Sequence, residues 1–136
     1  MSFVVDASIA LQWYLADERT SDADALLERV RVEGAHVPAL FRWEMQNVLL
    51  LAERASRIES DDLEQALESL RDLPIQIDSP GDRFFSGNEV QLARIYSLSA
   101  YDAAYLSLAA TLRVPLATID GDLAYAARDL GISVLP

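Results

Sequence analysis

Four carboxylates stand in stretches of the chain that are otherwise apolar: Asp6 after FVV, Glu44 inside LFRWEMQNVLL, Asp102 at the mouth of AYDAAYLSLAA, and Asp120 after PLATI. Removing an ionised carboxylate from water is costly unless a positive group or hydrogen bonds meet it. All eleven basic residues are arginine, the one histidine is His36, and there is no cysteine. Schiff-base chemistry, the P-loop lysine, histidine-pair acid–base catalysis, histidine-pair zinc sites and thiolate sites are thereby excluded. Two explanations for the acids remain, helix capping and a divalent metal.

Capping accounts for three of the acids taken singly. Ser99-Ala100-Tyr101-Asp102 matches the S/T-x-x-D/E capping box, Asp120-Gly121-Asp122 reads as a turn with acids at the positive end of a helix, and Asp6 suits an N-cap. Glu44 is different, because it lies a turn inside a helix on the face formed by Leu40, Val48, Leu51 and Ala55, which should be core. A glutamate there needs a partner or a site. An arginine salt bridge is the plain alternative, and Asn47, one turn along that face, either orients Glu44 or caps a neighbouring loop.

Taken together, Asp6, Glu44, Asp102 and Asp120 form an all-oxygen set whose natural counter-charge is Mg²⁺ or Mn²⁺, held by a few carboxylates plus water with room for a phosphate. The chemistry that follows is phosphoryl transfer to water, with the ion activating water and stabilising the attacking and leaving oxygens. Ser8 and Thr118, near strand ends, have hydroxyls suited to positioning phosphate or water, or to routine capping.

These residues need a frame. Ser2 to Val5 reads as a strand followed by a helix; Thr20 caps a second helix ending at Gly34, with Ala23, Leu26, Leu27 and Val30 as its apolar face; Ala35 to Val37 is a strand. A third helix spans Pro38 to about Ser56, Ser60 caps a fourth that Pro74 ends, and Ile75 to Ile77 is a strand. Ser79, Pro80 and Gly81 form a turn, a fifth helix occupies most of Asp82 to Leu98 with Gly87 and Asn88 weakening its start, and a sixth, Ser99 to Leu112, is apolar nearly all round and hence central. The strand Pro115 to Ile119 delivers Asp120, and a helix from Gly121 to Leu130 and a strand from Ile132 to Leu135 close the chain. Such alternation implies a three-layer α/β/α sandwich with a mainly parallel central sheet, in which ligands bind beyond the carboxyl ends of the strands. At 136 residues and 51% hydrophobic content, one domain over 1–136 is expected. The start MSFVVDASIA lacks signal-peptide features and no apolar run is of membrane-spanning length, so a soluble cytoplasmic protein is expected.

The order of these segments resembles the PIN-domain ribonucleases, and within them the VapC-like toxins of prokaryotic toxin–antitoxin pairs. FVVDASIAL, PALFRWEMQNVLL, SLSAYDAAYLSLA and LATIDGDLAYAA are similar to the family's four acidic motifs, in order, across essentially the whole chain. The resemblance implies a PIN-like fold and an endoribonuclease whose pocket of Asp6, Glu44, Asp102 and Asp120 holds Mg²⁺ or Mn²⁺, with Asp122 at a second metal position. It also implies a homodimer and an antitoxin whose C-terminal segment wraps the toxin and sets a basic side chain in the pocket. FFSGNE departs from the regular helix expected before the third motif. A phosphate-accepting receiver domain needs a late lysine that is missing here, and a haloacid-dehalogenase-type phosphatase wants an aspartate where Ser8 stands. The alternative from another class is a PIN-like binding scaffold whose acids serve capping or partner recognition.

The formal net charge of -11 opposes RNA and favours a basic antitoxin. Screening over about 8 Å at physiological salt leaves local arginines in control, and Arg42, Arg54 and Arg57 are the candidates for RNA contact. Leu49 and Leu50, off the apolar stripe of the third helix, suggest an exposed patch for dimerisation.

Overall fold

A computed structural model describes residues 2–78 and 85–136. The strands are β1 (Phe3–Val5), β2 (Ala35–Pro38), β3 (Ile75–Asp78), β4 (Leu116–Ala117) and β5 (Val134–Leu135). The helices are α1 (Ala7–Tyr14), α2 (Ser21–Glu33), α3 (Leu40–Arg54), α4 (Ser60–Asp72), α5 (Asn88–Tyr96), α6 (Ala100–Leu112) and α7 (Gly121–Asp129), with a 3-10 turn at Ala16–Glu18.

The strands pair in the order β3-β2-β1-β4-β5, every pair parallel. β1 is central and its three residues are fully buried, which is why it reads as an unbroken apolar run and not an alternating one. Right-handed crossovers place the helices between β1 and β3 on one face and those after β3 on the other. The contacts follow that division: α1 packs on α2 and α3, and α3 on α4, while α6 packs on α5, α7, β1, β2 and β4. The three-layer sandwich expected from the alternation is therefore the fold, and α6 is central as its composition implied. Among the described residues no helix is long and apolar enough to cross a membrane.

The local signals behaved unevenly. Thr20 caps α2 by accepting the Ala23 amide, and Gly34, at φ +76, ends it in a conformation that a side chain rarely adopts. α4 is capped one residue earlier than expected, by Glu59, whose own amide is accepted by Asp62 at 2.9 Å; Ser60 is already helical. α5 starts only after Gly87, at φ +88, and the turn at Ser79–Gly81 and the expected helical start at 82–84 lie outside the described residues.

The face expected to be buried on the third helix is so only in part, Leu40 and Val48 being half-buried and packed against the core. Its buried residues are Phe41, Met45, Leu49 and Ala52, whereas Leu51 and Ala55 are exposed. α3 carries two apolar stripes, and packing against α1, α4 and β2 selects the one holding the aromatic and the methionine. Leu49, expected at the surface, is fully buried; the exposed apolar residues of α3 are Trp43, Leu50 and Leu51. Glu44 therefore lies beside the core stripe, half-buried, and faces a cleft.

Candidate active site

In a parallel sheet a crevice opens where the chain order reverses beyond the strand ends. Here the reversal falls at β1, which leads to β2 on one side and receives β4 on the other. Asp6 directly follows β1 and Asp120 comes three residues after β4. The strand ends are held level by hydrogen bonds from the Asp6 amide to the Ala117 carbonyl (3.1 Å) and from the Thr118 amide to the Leu135 carbonyl (3.0 Å).

A cleft of about 380 Å³ at this edge is lined by Asp6, Ala7, Ser8, Leu11, Glu44, Asn47, Val48, Asp102, Tyr105 and Asp120. Four acids from four separate segments thus share one cavity. Asp6 and Asp120 are N-caps as well, since each Oδ1 accepts a helix amide, from Ile9 at 3.2 Å and from Leu123 at 2.9 Å. Ser99 Oγ accepts the Asp102 amide at 3.1 Å, so in that motif the serine is the cap and the Asp102 side chain reaches the cleft. Capping and cleft lining coexist at these positions.

Asp6 is 5% exposed, and its carboxylate is the most heavily supported of the four. Ser8 Oγ donates to Oδ1 at 2.6 Å and Thr118 Oγ1 donates to Oδ2 at 2.5 Å. Both hydroxyls also accept backbone amides, Ser8 from Ile119 at 3.2 Å and Thr118 from Asp120 at 3.0 Å. Ser8 and Thr118 therefore orient Asp6 and tie it to the segment carrying Asp120. Thr118 lies buried behind the cleft wall.

Sequence reasoning missed the partner of Glu44. Tyr105, 1% exposed, donates its hydroxyl to Glu44 Oε1 at 2.5 Å, in place of the arginine or Asn47 considered from the sequence. The available signal was the spacing of Tyr105 from Asp102, three residues on and hence on the same face of α6. Asn47 is exposed and lines the cleft one turn beyond Glu44.

Burial raises the pKa of Asp6, against the hydrogen bonds from Ser8, Thr118 and Ile9. It raises Glu44 likewise, against the Tyr105 bond, with the charges of Asp102 and Asp6 adding to the rise. Asp102 is raised by burial and by the charges of Asp120 and Asp122, against the Ser99 bond. Asp122 is thus close enough for its charge to be felt, but it is exposed in the first turn of α7 and does not line the cleft. Tyr105 is raised far above its ordinary value by burial and by its bond to Glu44.

The donor set is all carboxylate and hydroxyl oxygen, which suits a hard divalent ion such as Mg²⁺ or Mn²⁺. Among the described residues no group of three or more histidine, cysteine, aspartate or glutamate side chains is arranged to hold an ion by itself. The four acids therefore do not form a closed structural cage.

The arginines are less well gathered. Arg57 is paired with Asp17 and Glu18, at 2.9 Å each. Arg42 stacks on Trp43, 5.7 Å from the ring centroid, and borders a different cavity beside Phe41, Met45 and Arg71. Arg54 is exposed at the end of α3, and none of the three lines the acidic cleft.

Comparison with known proteins gives consistent relatives. Ribonuclease VapC3 of Pyrobaculum aerophilum is 27% identical over 124 residues, which cover 91% of this chain and 93% of that protein. The crystal structure of PAE2754 from Pyrobaculum aerophilum superposes with a TM-score of 0.64 at 24% identity, covering 98% of this chain and 92% of that one. FitAcB from Neisseria gonorrhoeae superposes with a TM-score of 0.63 at 16% identity, covering 100% of this chain and 97% of that one. The PIN domain family matches residues 3–129, a span that holds all four acids of the cleft, and the chain belongs to that family.

Proposed function

We propose that the chain is a metal-dependent endoribonuclease, the toxin of a VapBC-type pair, acting in the cytoplasm through the cleft of Asp6, Glu44, Asp102 and Asp120. The observation that carries this reading is the sharing of one cleft by these four acids at the sheet's point of reversal. The relative named as a ribonuclease, aligned over most of both chains, supports the substrate class.

On this reading the four carboxylates hold Mg²⁺ or Mn²⁺. Bound there, the ion supplies counter-charge and Lewis acidity to a phosphodiester. The chain's own residues do the rest. Ser8 and Thr118 fix both oxygens of Asp6, and the β1 and β4 ends set its separation from Asp120. Buried flanking residues, Ala7 and Tyr105 among them, limit water around the acids and strengthen their field. Water attacks phosphorus, the bond to the leaving oxygen breaks, and the proton that the water gives up ends on that oxygen.

The same acidic cleft and the charge of -11 favour a basic antitoxin segment as the second partner. Two copies of the chain pair through the exposed apolar residues of α3, Trp43, Leu50 and Leu51. Arg42 and Arg54 are the arginines assigned to the RNA path, Arg57 being already paired. The test is cleavage of RNA by the purified protein with Mn²⁺ and with chelator, beside co-purification with a basic protein encoded alongside. Loss of cleavage in chelator supports the nuclease reading, and metal-independent cleavage counts against it.

A further inference from the structure

We infer that Tyr105 is a positioning residue for Glu44, the device that fixes where this carboxylate meets the ion in the cleft. The inference rests on the metal-dependent reading given above and assigns a role to a residue outside the four acids.

Tyr105 is among the largest fully buried side chains of the protein, its ring packed in the main core. A buried phenol hydroxyl must find a partner, and this one reaches the cleft wall and donates to Glu44 Oε1. A phenylalanine would fill the same space, so the hydroxyl serves the bond to Glu44 alone.

Glu44 needs such a restraint. It projects from α3 on three rotatable bonds, and among the described residues no arginine is one of the groups acting on it. With Oε1 engaged by Tyr105, Oε2 and the remaining lone pair of Oε1 are left for the cleft. The anchor stands on α6, three residues after Asp102 and on the same helical face. One face of α6 thus supplies one acid directly and orients a second that belongs to α3. The separation of Asp102 and Glu44 is set by a buried helix and not by a flexible side chain. Partners that orient metal-binding carboxylates contribute about 10- to 100-fold to affinity.

The test measures Mn²⁺ binding by calorimetry in four proteins: wild type, Tyr105→Phe, Glu44→Gln and the double variant. Tyr105→Phe is expected to bind Mn²⁺ about tenfold more weakly and to need about tenfold more Mn²⁺ for half-maximal cleavage, with the rate at saturating Mn²⁺ changed much less. In the Glu44→Gln background the same change is expected to have no further effect on binding. Equal affinity in wild type and Tyr105→Phe, or an equal loss in both backgrounds, would overturn the inference while leaving the metal site intact. Failure of the wild type to bind Mn²⁺ would overturn the metal reading and this inference with it.

A second measurement needs no change at Tyr105. With ¹³Cζ-labelled tyrosine, the resonance that Glu44→Gln displaces is expected to move on Mg²⁺ titration of the wild type and to stay fixed in the variant. A resonance indifferent to both would overturn the coupling.

Discussion

Thr118 Oγ1 donates a hydrogen bond to Asp6 Oδ2 at 2.5 Å and accepts one from the Asp120 amide at 3.0 Å, so one buried hydroxyl joins the acids of two neighbouring strand ends. The two carboxylates are 114 positions apart in the chain. Their relative placement depends on this contact as well as on the sheet.

Thr118→Val keeps the shape and removes both bonds. It leaves a carboxylate oxygen and an amide short of a partner, which costs about 1–3 kcal/mol. The expected outcome is a lower Tm and at least tenfold slower cleavage, with Thr118→Ser close to wild type on both counts. Comparable thermal melts and cleavage rates for Val and Ser at this position would show that the hydroxyl positions nothing.

Asp6→Asn and Asp102→Asn separate capping from metal binding. Asparagine caps nearly as well as aspartate, so a purely capping role predicts almost no change. In a shared site both changes abolish Mn²⁺-dependent cleavage. Without metal, Asp102→Asn raises stability at pH 7, because burial and the neighbouring charges of Asp120 and Asp122 lift its folded pKa above the ordinary 3.8, whereas Asp6→Asn gives up an acceptor oxygen held by Ser8, Thr118 and Ile9 and is not expected to gain. The folded state then binds more protons than the unfolded one. The contribution of Asp102 to stability is therefore fully present below the unfolded pKa and is lost as pH rises through the folded pKa. Asn relieves that loss, so a higher Tm at pH 7 is expected, with the gain shrinking as pH falls below the ordinary carboxylate range. Adding Mg²⁺ should raise the Tm of wild type and leave Asp6→Asn unmoved. Chelator-treated melts across pH give the answer, and a Tm for Asp102→Asn below wild type at pH 7 would contradict this reading.

The two faces of α3 are distinguished by Leu49→Asp and Leu51→Asp. Leu49 is fully buried and Leu51 is 51% exposed. A charge at Leu49 should cost about 4 kcal/mol or more, against about 0.5 kcal/mol or less at Leu51. Urea titration of both variants decides the matter; similar midpoints would mean that the face is misassigned.

That helix also shows where sequence reading stops. The strand-end positions of Asp6 and Asp120 and the caps at Thr20 and Ser99 follow from local pattern, because each depends on a few adjacent residues, and the parallel sheet follows from the alternation of strands and helices along the chain. The face of α3 does not, since its two apolar stripes are nearly equivalent until α1, α4 and β2 choose one. The Tyr105–Glu44 bond is likewise invisible in the chain, being a contact between residues 61 positions apart. The pairing of Arg57 with Asp17 and Glu18 is hidden for the same reason, with partners about forty positions away.

Arg57 provides a further check. Its guanidinium is engaged with two exposed carboxylates, which salt screens readily. Arg57→Ala is expected to leave RNA affinity within about twofold of wild type and Tm unchanged at high salt, exposed pairs contributing little. A marked loss of RNA binding in filter assays would return Arg57 to the RNA path.

The most direct measurement is sequencing of RNA ends after incubation of a mixed RNA pool with purified wild type or Asp6→Asn, each with Mn²⁺ and with chelator. New, defined ends are expected only with wild type and Mn²⁺. The same ends from Asp6→Asn, or from wild type in chelator, would contradict a carboxylate-held metal as the agent of cleavage.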